Sequence, residues 1–157
     1  MITHLCCVVA LAIAITPGSA LADPSEEAGP APLDPSYVEA KAAIDQKRYA
    51  EALPLLRQVL AQNSGDANAH NLLGFAYRKT GNLDAAFEHY GTALRLNPDH
   101  RGAHEYIGEA YLMVSNLAKA EEHLRALDRL CMLPCEEYSD LKKAVEMYKA
   151  GQRRGKS

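Results

Sequence analysis

Cys131 and Cys135 stand four residues apart, on either side of Pro134, in the run Leu130-Cys131-Met132-Leu133-Pro134-Cys135. In an oxidising compartment such a pair can reach the Cα separation of about 5.5–6 Å that a disulfide needs. Closing so small a loop removes little entropy from the unfolded chain, so its stabilisation falls below the usual ~2–4 kcal/mol. Its use would be to fix the angle between the segments on either side. Two buried free thiols, or a redox or metal-binding pair, are the competing readings, although a redox pair more often reads Cys-x-x-Cys. Histidine raises metal chemistry next, with six in the chain. Four of these form two pairs at one fixed spacing, His70 with His104 and His89 with His123. A residue that recurs at such an interval is first a packing residue of the repeating unit. His100 and His104 are four apart, as two ligands on one helix would be, but His100 lies near Pro98 in a turn and no third ligand accompanies them. His104-Glu105 opens a zinc-peptidase pattern whose second histidine position is Gly108, so that constellation fails. No Ser or Cys nucleophile with a base stands in recognisable context, and no glycine loop suits a phosphate. The expectation is no catalytic residue, no bound metal and no cofactor.

The elements that must position these residues centre on Ala67 to His100. Two amphipathic helix patterns are joined there by a turn at Thr80, Gly81 and Asn82. Leu73, Gly74 and Tyr77 share a stripe of the first helix. Ala86, Tyr90 and Ala93 share a stripe of the second, at the i, i+4, i+7 spacing of a buried face. A mid-helix glycine such as Gly74 costs about 1 kcal/mol against alanine. The return is that a neighbouring helix can approach closely. Asn97-Pro98 stops the second helix. Shifting by about 34 residues pairs Ala69 with Ala103, Gly74 with Gly108, Tyr77 with Tyr111, Asn82 with Asn116 and Ala86 with Ala120. Shifting backwards finds a weaker copy, in which Ala40 takes the glycine position and Ala52, Leu56 and Val59 replace Ala86, Tyr90 and Ala93.

Each copy resembles a tetratricopeptide repeat, with small residues, aromatics and closing proline where that motif places them. The resemblance covers residues 33–66, 67–100 and 101–134. It implies an all-α fold: a right-handed α-α superhelix of three helix pairs. The family's ligand groove is concave and lined by the first helix of each pair. Carried over position by position, that implies Tyr37, Lys41 and Ile44, then Asn68, Asn71, Phe75, Arg78 and Lys79, then Glu105, Glu109, Leu112 and Met113. Phe75 stands out because its counterpart is Glu109, so the repeat itself does not require a large apolar group there. The Lys/Asn/Arg set with which some members clamp a carboxyl terminus is not matched.

The rest of the chain frames this core. Leu5 to Ile15 is continuously apolar, about the length of a signal-peptide core and too short to span a bilayer, and Ala20-Leu21-Ala22 offers a cleavage site. The segment before the apolar run holds no Lys or Arg, and an uncut anchor is the competing reading. Residues 1–22 are thus expected to be a signal peptide, and residues 23–34, rich in proline and acid, a disordered leader. From 135 to 150 one further amphipathic helix, with Tyr138, Leu141, Val145 and Tyr148 on one face, would cap the apolar flank of the last repeat. Residues 151–157 form a short basic tail.

Aromatics are 6% with no tryptophan, while 48% of residues are hydrophobic, which suits closely packed helix pairs rather than a sandwich or barrel. A formal net charge of −3 gives no basic field for nucleic acid. The expectation is a non-catalytic module, periplasmic or secreted, that binds a protein or peptide in its groove, with no nucleic acid and no membrane contact after signal cleavage. The ending of the chain resembles small exported bacterial tetratricopeptide proteins. An assembly subunit docking on an envelope complex by its convex face or end is one alternative, and a metal- or redox-handling accessory protein is another.

Overall fold

Polar side chains cap the starts of helices along the chain. Asp34 accepts from the Ser36 backbone N–H at 2.7 Å, Asp66 from Ala69 at 2.9 Å, Asn82 from Ala85 at 3.2 Å and Asn116 from Lys119 at 3.2 Å. Each satisfies one of the donors that a helix start leaves unpaired. The computed structural model describes residues 34–133 and 135–154. The expected signal peptide and nearly all of the leader therefore lie outside the described residues, as does Pro134. Asp34, counted with the leader, is the cap of the first helix.

Seven helices follow: α1 (Pro35–Asp45), α2 (Tyr49–Gln62), α3 (Ala67–Lys79), α4 (Leu83–Leu96), α5 (Arg101–Met113), α6 (Leu117–Leu130) and α7 (Glu136–Arg154). Among the described residues there is no strand, and no helix is long and apolar enough to cross a membrane. Consecutive helices pack as antiparallel pairs, α1 with α2, α3 with α4 and α5 with α6, stacked into an α-α superhelix. The first helices of successive pairs also touch. Pro54 lies inside α2 without ending it. Its ring is exposed, and the carbonyl of Ala50 that loses a partner there belongs to an exposed residue open to water.

Three hairpin turns join the helices of each pair, and each contains one left-handed residue: Lys47 (φ 60°), Gly81 (φ 89°) and Ser115 (φ 60°). They sit at the same place in each repeat, so the backbone keeps the period where the side chains have diverged.

Alanines carry the core because the helices lie close. Ala40, Ala52, Ala69, Ala76, Ala86, Ala93, Ala103, Ala110 and Ala120 are fully buried. Gly74 is the tightest approach in the second pair: a Cβ there would come within 2.7 Å of the Tyr90 ring. The equivalent Gly108 faces a different partner. A Cβ on it would come within 2.6 Å of Leu141, so the seventh helix fills the space over the third repeat.

Helix α7 packs on α5 and α6, with Leu141 and Val145 buried and Lys142, Lys143 and Glu146 turned outward. Lys149 reaches back to Glu121 at 2.5 Å. The helix runs to Arg154, four residues past the expected end. Gly151 alone does not break it, and the Gln152 amide donates to the Tyr148 hydroxyl at 3.0 Å across that turn. At the corner before α7, Cys131 and Cys135 are joined by a disulfide with Cα atoms 5.8 Å apart, inside the range the spacing suggested. The loop it closes leaves Met132 99% and Leu133 80% exposed.

Candidate functional site

Phe75 sits half-buried on α3, packed at the edge of the buried cluster of Ala86, Tyr90, Ile107 and Ala110. Its ring lies 4.8 Å from Tyr106 of α5 and 5.8 Å, edge on, from Tyr49 at the start of α2. The Lys79 ammonium lies 5.2 Å from the Phe75 centroid while the residue itself stays exposed. Offset aromatic contacts of this kind add about 0.5–1.5 kcal/mol beyond area burial. The result is a fixed aromatic patch with one face partly open and a cation at its edge.

Beneath the patch lies Arg78, only 7% exposed. Its Nη1 meets Glu109 Oε2 at 2.6 Å, and its Nε donates to the Tyr90 hydroxyl at 3.3 Å. The guanidinium also stands 5.3 Å from the Phe75 centroid and 5.6 Å from that of Tyr106. This side chain is the floor of the groove rather than a free charge at its rim. Of the two cations at the end of α3, Lys79 is the one open to a partner.

The other positions implied by the groove fall in different settings. Asn68, Lys41 and Met113 are exposed. Lys41 pairs with Asp45 of its own helix at 2.9 Å, Tyr37 packs on the core of the first pair, and Leu112 packs toward α7. Asn71 and Glu105, by contrast, are 6% and 9% exposed. Asn71 Oδ1 has no hydrogen-bond partner among the described residues. Burial, together with the charges of Glu109, Asp140 and Glu137, raises the Glu105 carboxyl to about 8. The structure therefore gathers Asn71, Phe75, Arg78, Lys79, Glu105 and Glu109 along adjacent faces of α3 and α5.

Two aromatics of the patch escaped sequence reasoning. Tyr106 occupies a position held by Leu72 and Val38 in the other repeats, and Tyr49 one held by Leu83 and Leu117. An aromatic where the sister repeats carry an aliphatic was the available signal.

The periodic histidines turn out to be one another's partners. His70 and His89 meet through their Nδ1 atoms at 3.0 Å, and His104 and His123 do the same at 2.9 Å. The Nε2 of His70 reaches the Ser64 carbonyl, and that of His104 the Pro98 carbonyl, at 3.2 and 2.9 Å. A carbonyl only accepts, so those Nε2 atoms carry the proton. The Nδ1–H of His89 and of His123 must then be the donor within each pair. Tyr77 stacks on His89 and Tyr111 on His123. Each pair ties the first helix of its repeat to the second. Among the described residues no three His, Cys, Asp or Glu side chains converge on a metal-sized site.

Protonating His89 or His123 would place a positive charge in a partly buried pair. Burial and the partner His104 lower His123 to about 4; burial and His70 likewise lower His89. The unfolded chain therefore takes up protons, from about pH 6.5 downward, that the folded chain refuses, and stability falls with pH in that window. Glu105 acts in the opposite sense, because its raised carboxyl is a burden that grows as pH rises toward 8. In Glu105→Gln protein, lowering the pH from 7 to 5 should cost about 1 kcal/mol after allowance for partial exposure, read as a drop in the urea midpoint. His123→Gln in that background should flatten the slope. An unchanged slope would remove the histidine pairs as its source.

Comparison with known proteins finds similarity over parts of the chain. Residues 43–88 match a family model described as tetratricopeptide repeat, and residues 76–114 match a second described as TPR repeat. Among solved structures, MamA (residue 41 to the end) from Desulfovibrio magneticus RS-1 superposes with a TM-score of 0.58 at 30% identity, over 60% of this chain and 54% of that one. The chain thus spans about half the length of that relative. The type III secretion translocator chaperone SycD of Yersinia enterocolitica superposes with a TM-score of 0.66 at 18% identity, over 78% of this chain and 84% of that one. SycD in complex with a peptide of the translocator YopD gives 0.63 at 19%, over 78% and 92%. No curated protein sequence matches the chain.

Proposed function

We infer that this chain, a tandem of tetratricopeptide repeats, is a non-catalytic binding module that holds a protein or peptide segment in its concave groove. The observation that carries this reading is the aromatic patch of Tyr49, Phe75 and Tyr106, half-open and edged by Lys79. The residues that stiffen it are already paired with one another, so little order is lost when a partner arrives. A solved relative of this fold, SycD, is known bound to a peptide of its translocator, which supports a peptide as the kind of ligand. Export to the periplasm or beyond is part of the proposal. It rests on the apolar segment at Leu5 to Ile15 and agrees with a disulfide at Cys131–Cys135, since such bonds persist in oxidising compartments.

One observation favours a second reading, docking through an end of the solenoid. Met132 and Leu133 project from the disulfide-closed corner, and an exposed apolar pair on a stiff loop suits contact with a larger assembly. Photo-crosslinkers at Lys79 and at Met132, introduced one at a time into the full chain in its own cells, separate the two. The groove reading expects a discrete adduct from Lys79, recovered from the periplasmic or extracellular fraction on a chain that begins at Asp23. Phe75→Ala should weaken that adduct by well over tenfold, as loss of a central aromatic anchor does. Lys79→Ala should weaken capture less, with an effect that fades at high salt. Adducts from Met132 alone would overturn the groove in favour of the end.

A further inference from the structure

We propose that the pocket between α5 and α7 receives the basic side chain, lysine or arginine, of the segment that the groove binds. The inference rests on the groove reading above and adds the chemistry of its occupant. The pocket encloses about 240 Å³ and is lined by Gly102, Glu105 and Tyr106 from α5 and by Glu136, Glu137 and Asp140 from the start of α7. Four of these six residues are carboxylates. Arg78 is committed to Glu109 at 2.6 Å, and Arg101 on the rim pairs with Glu137 at 3.6 Å, which leaves Glu105, Glu136 and Asp140 without an ion-pair partner among the described residues.

Glu105 is the second, independent observation. It is 9% exposed, lines the pocket, and has neither a hydrogen-bond nor an ion-pair partner among the described residues. Leaving a buried carboxyl unpartnered costs about 1–3 kcal/mol or more. The repeat does not demand an acid here, since Asn71 and Tyr37 hold the same position in the other two repeats. The fold gains nothing from it, so a ligand is where the return lies. Gly102 lets α5 sit close to Asn71, since a Cβ there would come within 3.3 Å of its Nδ2.

The shape of the acid array selects among cations. Among the described residues no three ligating groups converge as a metal would require. Carboxylates spread over two helices instead suit a cation whose several N–H donors point in different directions, with Tyr106 as a flat wall against its stem. Tyr106 is also the ring that meets Phe75. One partner segment can therefore lay an apolar residue on Phe75 and a neighbouring basic residue into the pocket.

Binding should be coupled to a proton. In the free protein Glu109 of α5, with Glu137 and Asp140 of α7, disfavours ionisation of Glu105, and Arg78 of α3 favours it. An entering ammonium or guanidinium expels the proton, so affinity rises as pH approaches and passes the range where the free carboxyl ionises. The test uses the full chain and two small probes, Nα-acetyl-arginine amide and its uncharged counterpart Nα-acetyl-citrulline amide, followed by backbone amide shifts. The arginine probe should shift Gly102, Tyr106 and Asp140 saturably, at least about tenfold more tightly at pH 8.5 than at pH 6. The citrulline probe should not. Glu105→Gln with Asp140→Asn keeps shape and removes charge, so it should weaken the arginine probe about tenfold or more while the melting temperature holds or rises. Equal responses to both probes, or unchanged binding in the double variant, overturn the proposal. A chain that still crosslinks its partner through Lys79 but ignores the arginine probe overturns the pocket and leaves the groove standing. A chain that binds the probe and captures nothing through the groove does the reverse.

Discussion

Leu141→Ala should destabilise the protein by about 3–4 kcal/mol, within the range for a fully buried leucine whose surroundings relax only in part. Leu141 is 0% exposed and occupies the one space that the missing side chain of Gly108 leaves over the third repeat. Its removal empties that space, and the neighbouring backbones cannot readily close on it because α5 and α6 are already packed against each other as a pair. Urea unfolding followed by far-ultraviolet circular dichroism measures the loss. The same preparation should expose apolar surface around Tyr111, Leu112 and Leu124, which otherwise pack against the cluster of Leu127, Leu141 and Val145. Self-association should then appear in sedimentation. A loss below about 1 kcal/mol with a monomeric protein would mean that α7 is an appendage rather than a cap.

Arg78→Ala should cost about as much, roughly 3–5 kcal/mol, by a different route. The guanidinium is the countercharge for Glu109, the donor to the Tyr90 hydroxyl, and a flat surface beneath Phe75 and Tyr106. Without it, Glu109 and Glu105 face each other across a partly desolvated floor and a buried hydroxyl loses its partner. Removing both charges leaves less unpaired than removing one. The cycle with Glu109→Ala should therefore show a coupling of about 2 kcal/mol, the double variant being milder than the two losses summed. Additive losses would show that the pair contributes packing and not charge. This route also separates floor from rim: Lys79→Ala should leave stability nearly unchanged.

The architecture was legible because the repeat states it many times over. Gly74, Gly108 and the alanine stripes fall where a second helix must come close, α4 ends two residues before Pro98, and α7 alone runs four residues past its expected end. The spacing of Cys131 and Cys135 made a disulfide reachable, but did not by itself separate it from free thiols or a redox pair. The site was legible only as a set of positions. Periodicity tells which face of α3 a residue occupies, but Arg78 lies on the groove face and is still buried, because Glu109 of the next repeat is placed to receive it. Whether a polar side chain is free or spoken for depends on the neighbour one period away. The histidine pairs make the same point, since their recurrence was visible while their mutual hydrogen bond needs the two helices of one repeat to be folded together. The acids of α7 gave no warning at all: Glu136, Glu137 and Asp140 look like the solvated, dipole-favoured first turn of any helix until α5 is set beside them.

The three hairpin turns carry unequal loads. A residue with a Cβ in the left-handed conformation costs about 1–2 kcal/mol, a penalty that Lys47 and Ser115 bear and Gly81 does not. The central hairpin is thus the relaxed one and the two flanking hairpins are sprung. A solenoid loosens repeat by repeat, each held only by its neighbours, so spontaneous opening starts at the margins and moves inward. Phe75 is carried on the central pair, which such fraying reaches last. The central pair is then the firmest part of the solenoid, with its two neighbours the more adaptable.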